Sequence, residues 1–230
     1  MKITFSDILL STCCSTICLG LGFGAAWLIH GPVLLPHGFQ AVFLITIFGF
    51  VFVFSTIGIL YLLRALWPLE EGAFALGTDS RSVVWKLLGF LYVNHLWPLI
   101  NANLVPVNMR GTAYSMIGAK IGKSVMVGGK ILEPTLVQIG NYSMLGEDCI
   151  LTAHTVVGNE VDLGRIIIGD EVTIGGTSVI LPDVRVQDRA IVAPGAVVTK
   201  GSRIGPGEIW GGVPAKKIGQ RQTANSVIAH

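Results

Sequence analysis

Two long apolar segments lie near the start of the chain. Ile8 to Ile29 is an uncharged run of 22 residues, and Phe39 to Leu63 is an uncharged run of 25. A helix rises about 1.5 Å per residue, so each run can cross about 30 Å of hydrocarbon. His30-Gly31-Pro32 and Pro36-His37-Gly38 are typical of a short loop between them. The pattern predicts a membrane α-helical hairpin over residues 1–66.

The segment 67–116 has a mixed pattern. Val83 to Leu99 is apolar and aromatic, but polar residues and a proline interrupt it: Lys86, Asn94, His95 and Pro98. We expect an interfacial, linking helical segment whose tryptophans lie at the lipid headgroups. Packing of this segment on the C-terminal domain is the alternative.

The C-terminal half follows a period of six. Aliphatic residues recur without a miss at Ile168, Ile174, Ile180, Val186, Val192, Val198 and Ile204. An earlier frame, offset by one residue, runs through Ile121, Val127, Ile139, Leu145, Leu151, Val157 and Leu163, with Glu133 as its polar member. A short fixed period indicates stacked units, here one strand and one corner each, so that three units close a triangular coil. We predict an all-β parallel β-helix over residues 117–219 and a tail over 220–230.

Composition agrees with two different environments. Hydrophobic residues make up 51% of the chain and charged residues only 13%, against about 25% in ordinary soluble domains. The net charge of +2 and the absence of a Lys/Arg cluster exclude a nucleic-acid-binding protein. Three of the four cysteines lie in the first apolar run and Cys149 in the repeats, which is neither a disulfide framework nor a zinc pattern. The repeats are therefore expected in a reducing compartment.

The flanking charges predict the orientation. Lys2 precedes the first span, whereas Arg64, Arg81 and Lys86 follow the second. The positive-inside bias then puts the N-terminus and the β-helix on the cytoplasmic side of a bacterial inner membrane, with two spans. A cleaved signal peptide is the alternative for the first span, since Gly24-Ala25-Ala26 lies late in it, but the second span would still anchor the chain.

Several stretches resemble the left-handed β-helix acyltransferases, the hexapeptide-repeat family. They are Ile139-Gly140-Asn141, the run from Ile168 to Gly175, Ala196-Val197-Val198-Thr199-Lys200, and the closing run from Trp210 to Lys217. The resemblance implies a left-handed coil, a homotrimer, and acetyl-CoA or another acyl-CoA as co-substrate, without a metal. It also implies that CoA lies between subunits, along Gly175, Gly176, Ala193, Thr199, Lys200 and Lys216. Each of these residues also has a structural explanation, glycine at a tight corner or lysine for solubility.

A narrower resemblance is to the membrane-bound branch of the family. That branch includes exopolysaccharide acetyltransferases and the membrane regions of poly-amino-acid synthetases. There too, transmembrane helices precede a stretch like Gly111-Thr112 and then Ile117-Gly118-Ala119-Lys120-Ile121-Gly122.

His154 is the candidate catalytic residue. The chain has five histidines, and His154 alone lies within the repeats. Imidazole can take a proton from an acceptor hydroxyl or amine near neutral pH, and the resemblance implies this role. Glu133 is the candidate that orients it, because a carboxylate at an apolar position of the repeat needs a partner. Alternatively, Pro134 breaks the register and releases Glu133 into solvent, leaving Glu147, Asp148 or Glu160 as candidates.

The function predicted from these residues is transfer of an acyl group from CoA to a hydroxyl or amine. The membrane anchor favours an acceptor near the bilayer, such as a lipid-linked sugar or an envelope glycan precursor. A carbonic anhydrase of the same fold would need three histidines around zinc, which the repeats lack. A non-catalytic trimeric membrane scaffold remains the alternative, because a β-helix is stable without any site.

Overall fold

The computed structural model describes residues 4–30, 37–77 and 79–221. The chain divides into two compact units. The helical unit comprises the described residues before Glu70 and those from Gly77 to Ile100. The β-helix unit comprises Glu70–Leu76 and the chain from Asn101 onward.

The helical unit contains α1 (Phe5–His30), α2 (His37–Leu66), α3 (Ser80–Leu91), a π-helical turn (Tyr92–Leu96) and α4 (Trp97–Asn101). A capping box begins α1: the Asp7 amide donates to Thr4 Oγ1 at 3.4 Å, and the Thr4 amide donates to Asp7 Oδ2 at 2.8 Å. The Asp7 carboxylate also pairs with Lys86 of α3, and both side chains are under 10% exposed, at 9% and 7%. This buried ion pair connects α1 to α3.

Within the part of the chain that the structure describes, three helical segments are long and apolar enough to cross a membrane: Phe5–His30, Phe39–Leu66 and Ser80–Asn101. This criterion uses length and composition only. The first two agree with the predicted hairpin, and the third falls in the segment for which an interfacial helix is expected.

The β-helix unit begins with α5 (Val107–Ile117) and continues in three mainly parallel sheets. The first sheet contains β2 (Lys120–Ile121), β5 (Val137–Ile139), β10 (Ile166–Ile168), β13 (Arg185–Val186) and β16 (Arg203–Ile204). The second contains β3 (Met126–Val127), β6 (Met144–Leu145), β11 (Thr173–Ile174), β14 (Ile191–Val192), β17 (Glu208–Gly211) and the antiparallel β18 (Lys216–Gln220). The third contains β4 (Lys130–Ile131), β7 (Ile150–Leu151), β12 (Val179–Ile180) and β15 (Val197–Val198). The repeat periodicity is confirmed as a parallel β-helix.

Pairing between coils explains the two sequence frames. Ile139 pairs directly with Ile168 although they are 29 residues apart, whereas Ile168 and Val186 are 18 apart. The columns of aliphatic side chains therefore continue through both frames, and an insertion after Leu151 accounts for the offset. Two aliphatic positions of the earlier frame lie outside these columns: Val157 is 77% exposed, and Leu163 is buried in the insertion.

The expectation that position 133 belongs to the aliphatic columns is wrong. Ile131 pairs with Leu151 in the third sheet, and both are fully buried. The corner between β3 and β4 is shortened to the two residues Gly128 and Gly129. A Cβ on Gly129 would lie 2.3 Å from Cys149 Sγ, so glycine permits this close approach. Glu133 consequently lies two residues beyond the core position.

The insertion after Leu151 is a β-hairpin. Its strands are β8 (His154–Val157) and β9 (Glu160–Leu163), joined by a two-residue turn in which Gly158 has φ +59°. β1 (Gly72–Ala75) pairs antiparallel with β9, giving the strand order β1-β9-β8. A segment that precedes α3 in the chain thus forms part of the sheet that carries His154.

Candidate active site

His154 and Glu133 meet at one corner of the coil. This corner, named here the His154 corner, joins the third sheet to the first and comprises residues 132–136, 152–165, 181–184 and 199–202. Its coils stack through backbone hydrogen bonds, from Leu132 N to Leu151 O at 3.0 Å and from Thr152 N to Ile180 O at 3.0 Å. Glu133 and His154 therefore come from adjacent coils.

The Glu133 carboxylate accepts two hydrogen bonds. Its Oε1 lies 2.5 Å from His154 Nδ1, and its Oε2 accepts from the Ala153 amide at 2.9 Å. The Glu133 side chain is 11% exposed and the His154 side chain 26% exposed. Two donors from consecutive residues hold the carboxylate in place, and the carboxylate fixes the plane of the imidazole.

This hydrogen bond assigns the tautomer of His154. A carboxylate accepts only, so Nδ1 carries the proton and, in the neutral ring, Nε2 has the basic lone pair. A base whose second nitrogen is oriented by a carboxylate is the arrangement that activates hydroxyl nucleophiles in enzymes. The half-buried ring can therefore accept a proton at Nε2 and return it to a leaving group.

Local sequence explains why Glu133 faces His154. The short corner before Ile131 moves Glu133 out of the columns, and Pro134–Leu136 then forms a single 3₁₀ turn, for which Pro134 at the first position suits the backbone. Thr152 adds a further contact: its Oγ1 lies 3.1 Å from the His154 carbonyl and 3.3 Å from Nδ1. The alternative, in which Pro134 breaks the register and releases Glu133 into solvent, is not observed, because the Glu133 side chain is 11% exposed and bonds to His154.

The other carboxylates named from sequence lie elsewhere. Asp148 pairs with Lys130 at 3.2 Å, at the corner that joins the second sheet to the third. Glu147 precedes it in that same corner, and its carbonyl accepts from the Thr177 amide at 2.9 Å. Glu160 begins β9 beside the hairpin turn, opposite Val157. Glu133 is thus the carboxylate that the structure brings to His154.

The residues predicted to contact CoA fall at two corners of the chain. Thr199 and Lys200 belong to the His154 corner, two coils after His154. Gly175, Gly176 and Ala193 lie at the corner between the second and third sheets, named here the Gly175 corner, and Lys216 begins β18 just beyond it. A Cβ on Gly175 would lie 2.3 Å from Pro194 N, so stacking of adjacent coils itself requires this glycine. One chain does not gather all six residues at one corner.

Sequence reasoning missed Asp162, Thr152 and β1. Lys200 forms an ion pair with Asp162 of β9, so the proposed CoA ligand contacts the hairpin. The turn sequence Gly158-Asn159 after Thr155-Val156-Val157 was the signal that a hairpin follows His154. Pairing of β1 with β9 has no comparable signal in the sequence, because the two strands are far apart in the chain.

Among residues 4–30, 37–77 and 79–221, no group of three or more His, Cys, Asp or Glu side chains could hold a metal ion.

Comparison with known proteins identifies relatives of the repeat domain. The family described as bacterial transferase hexapeptide (six repeats) matches residues 165–200. YvoF of Bacillus subtilis (strain 168), an acetyltransferase by name, is 31% identical over 149 residues, covering 62% of this chain and 86% of YvoF. The mitochondrial gamma carbonic anhydrase 1 of Arabidopsis thaliana is 33% identical over 95 residues, covering 40% of this chain and 34% of that protein.

The comparison with solved structures gave further matches. The hexapeptide-repeat acetyltransferase VCA0836 of Vibrio cholerae O1 biovar eltor, complexed with acetyl coenzyme A, has 24% identity and a TM-score of 0.42, covering 45% of this chain and 60% of that one. A maltose O-acetyltransferase from Clostridium difficile 630 has 19% identity and a TM-score of 0.48, covering 67% and 95%.

Proposed function

We propose that this chain, which belongs to the hexapeptide-repeat acetyltransferase family, transfers an acetyl group from acetyl-CoA to a hydroxyl or amine of a membrane-borne acceptor. The observation that carries the proposal is the 2.5 Å contact between Glu133 Oε1 and His154 Nδ1. His154 Nε2 takes the proton of the acceptor as its oxygen or nitrogen attacks the thioester carbonyl. The carbon–sulfur bond breaks, and the same nitrogen returns the proton to the CoA thiolate.

Glu133 is the positioning residue in this mechanism. The imidazolium formed during attack carries a positive charge beside its carboxylate, which stabilises that state. The Ala153 amide holds the second carboxylate oxygen at 2.9 Å, so the carboxylate need not reorient during the reaction. Preorganisation of this kind lowers the barrier because no reorganisation accompanies charge formation.

The CoA site is proposed to lie between subunits of a left-handed homotrimer. His154 and Lys200 lie at one corner of the chain, whereas Gly175, Gly176 and Ala193 lie at the next. A second copy that presents its Gly175 corner to the His154 corner would bring these residues into one groove. Lys200 and Lys216 would then be available for phosphate groups, once Lys200 leaves Asp162.

The two-span orientation of the hairpin rests on strand pairing. The third apolar segment, Ser80–Asn101, has both flanks within the β-helix unit: β1 pairs with β9, and Asn103 bonds to Arg110, which donates to Gly128 O at 3.2 Å. A single membrane span would put the two flanks of a segment on opposite sides of the membrane, so a segment with both flanks on one side is not a single span. We therefore assign Ser80–Asn101 to the interface and the two crossings to α1 and α2.

The membrane-borne acceptor rests on connectivity. Only residues 67–71 separate the end of α2 from β1, and β1 lies in the sheet that carries His154. A lipid-linked sugar or glycan precursor could present its headgroup at the membrane surface to a site connected in this way.

The test of the activity uses the purified full-length protein in detergent. Acetyl-CoA and a butanol extract of bacterial membranes are supplied, and CoA release is followed with DTNB. We expect thiol release that His154→Ala lowers by about 100- to 10,000-fold, the range for removal of a general base. The solvent-facing control Arg185→Ala should retain the wild-type rate. If CoA release is unchanged in His154→Ala while the oligomer is intact, His154 is not the base. If no extract supports CoA release and acetyl-CoA does not shift the thermal stability, the non-catalytic scaffold is favoured.

The orientation has its own test. Cysteines are introduced at Val33, between the two apolar runs of the sequence, and at Arg189 in the β-helix, and intact cells are treated with a membrane-impermeant maleimide. In intact cells we expect labelling above the wild-type background at position 33 alone. Position 189 should be labelled only after the cells are lysed. The reverse pattern contradicts the cytoplasmic assignment.

A further inference from the structure

A second cluster of reactive side chains lies in the helical unit, apart from His154. Ser15 of α1, Thr56 of α2 and His95 of the π-helical turn belong to the same compact unit. Ser15 Oγ lies 3.1 Å from His95 Nε2, and Thr56 Oγ1 lies 3.1 Å from His95 Nδ1. Thr56 is fully buried, while Ser15 and His95 are half-buried. Three helices thus converge on one imidazole.

The hydrogen-bond directions follow from Thr56. Its single hydroxyl proton is donated to the Phe52 carbonyl at 2.9 Å, a shorter contact than the 3.5 Å to Cys18 Sγ. Thr56 Oγ1 then accepts from His95 Nδ1–H, and the unprotonated Nε2 accepts from the Ser15 hydroxyl. The order of the bonds is nucleophile, base and orienting group, which is the diagnostic arrangement of an activated serine.

Ser15 differs from its neighbours in how its hydroxyl is satisfied. Ser11, Thr46 and Ser55 each donate to a carbonyl of their own helix, at 2.6, 2.8 and 2.9 Å, which is the usual state of hydroxyls in apolar helices. Among the described residues, Ser15 Oγ bonds to His95 alone. The helix carrying His95 widens into a π-helical turn at this point, a feature that is frequent at functional sites.

The surroundings of His95 are apolar. The Phe52 ring centroid lies 4.8 Å from that of His95, and the Phe90 centroid 6.4 Å away. An ionisable side chain in apolar surroundings is costly to keep, which makes His95 a candidate functional group. Ser15 itself is half-buried, so it is not fully enclosed by the described helices.

We propose that Ser15 is a nucleophile that accepts an acyl group from an ester or thioester, with His95 as its base and Thr56 as the positioning residue. Ser15 Oγ attacks the acyl carbonyl, and His95 Nε2 takes the hydroxyl proton. The bond to the leaving alcohol or thiol breaks, and His95 returns the proton to that group. The product is a Ser15 oxyester, and no oxidant or reductant is required.

The first test is labelling by a fluorophosphonate carrying a fluorophore. Full-length protein in detergent is used in a His154→Ala background, so that the result does not depend on the β-helix site. We expect the Ser15 peptide to carry the label, and His95→Ala to lower the labelling rate by about 100-fold or more, the effect of losing a general base. Ser55→Ala is the matched control and should label at the parent rate. Labelling of Ser15 no faster than that of Ser55 overturns the proposal and leaves a packing role.

The positioning role of Thr56 has a separate readout. Thr56→Val keeps the shape but removes the acceptor for Nδ1–H, so labelling of Ser15 should fall, while Thr56→Ser should restore it. Equal loss in both variants would mean that packing, rather than orientation, is affected.

The acyl source is distinguished by two probes. Radiolabelled acyl-CoA and a phospholipid with a radiolabelled acyl chain are incubated separately with the protein in vesicles, and the Ser15 peptide is analysed by mass. An oxyester adduct from one probe identifies the thioester or the lipid ester as donor. If neither probe acylates Ser15, no group transfer occurs at this serine and the proposal fails.

Discussion

Replacement of Glu133 by Gln isolates the contribution of the carboxylate to catalysis. The carboxylate accepts from both His154 Nδ1 and the Ala153 amide, whereas the amide of Gln offers one acceptor and one donor group. One of the two donors therefore loses its partner. If the NH₂ group faces Nδ1, the imidazole adopts the tautomer whose Nε2 carries the proton and cannot act as a base.

The expected loss in kcat follows from the strength of these hydrogen bonds. A hydrogen bond to a charged group contributes about 1.5 to 3 kcal/mol, and about 1.36 kcal/mol corresponds to a tenfold change in rate. Loss of imidazolium stabilisation alone should lower kcat by about 10- to 150-fold, and loss of the tautomer as well by up to about 10,000-fold. KM for acetyl-CoA should change little, because Glu133 acts through His154.

The assay is CoA release under saturating acetyl-CoA, with Glu171→Gln as the matched control. Glu171 is an exposed carboxylate between the first and second sheets, outside both the His154 corner and the Gly175 corner, so its amide variant should retain the wild-type kcat. The double variant Glu133→Gln, His154→Ala should be no slower than His154→Ala, since residues acting as one unit are not additive. Activity of Glu133→Gln within threefold of wild type, or additive losses in the double variant, would refute the reasoning.

Three further results are expected from the β-helix unit. Ile131→Ala should lower the free energy of unfolding by about 2 to 5 kcal/mol, because Ile131 is fully buried in the aliphatic column. Leu132 is half-buried, so Leu132→Ala should lower it by less. Equal losses in thermal denaturation would contradict the assignment of Ile131 to the column. Burial, with a smaller contribution from the Asp148 charge, raises the pKa of Cys149 to about 12, so at about pH 8 N-ethylmaleimide should modify it only after denaturation, as peptide mass spectrometry will record. Hydrogen bonds from Lys217, Trp210 and the Gly205 amide hold the pKa of Glu208 at about 2. Its stabilisation is present above the unfolded pKa of about 4.3 and is lost as pH falls through about 2, so the Tm difference from Glu208→Gln should close over that window.

The sequence predicts most of the coil because its period is strict. Ile168, Ile174 and Ile180 recur at six-residue intervals, and each pairs with the preceding and the following coil as a column requires. The two apolar runs likewise correspond to α1 and α2. Periodicity reports burial, so elements that repeat the same burial pattern are predictable from it.

The departures from the period are less predictable. The Gly128-Gly129 corner shortens one turn of the coil, and this depends on a close approach to Cys149 in the next coil that the sequence does not reveal. Glu133 was identified as a candidate because it broke the frame, although the position assigned to it was wrong. Pairing of β1 with β9 is a non-local contact, for which local propensity gives no signal.

The candidate site arises where the repeat is interrupted twice in adjacent coils. A uniform hexapeptide coil would present at this corner only short turns such as Leu181-Pro182-Asp183. The shortened corner before Ile131 brings Glu133 to the edge, and the hairpin after Leu151 begins with His154 as its first strand residue. Restoring either interruption to six-residue spacing should therefore separate the carboxylate from the imidazole while the aliphatic columns continue. A variant in which residues 152–166 are replaced by a four-residue corner regains the six-residue spacing and loses His154. It should remain folded by circular dichroism but release no CoA above the His154→Ala level.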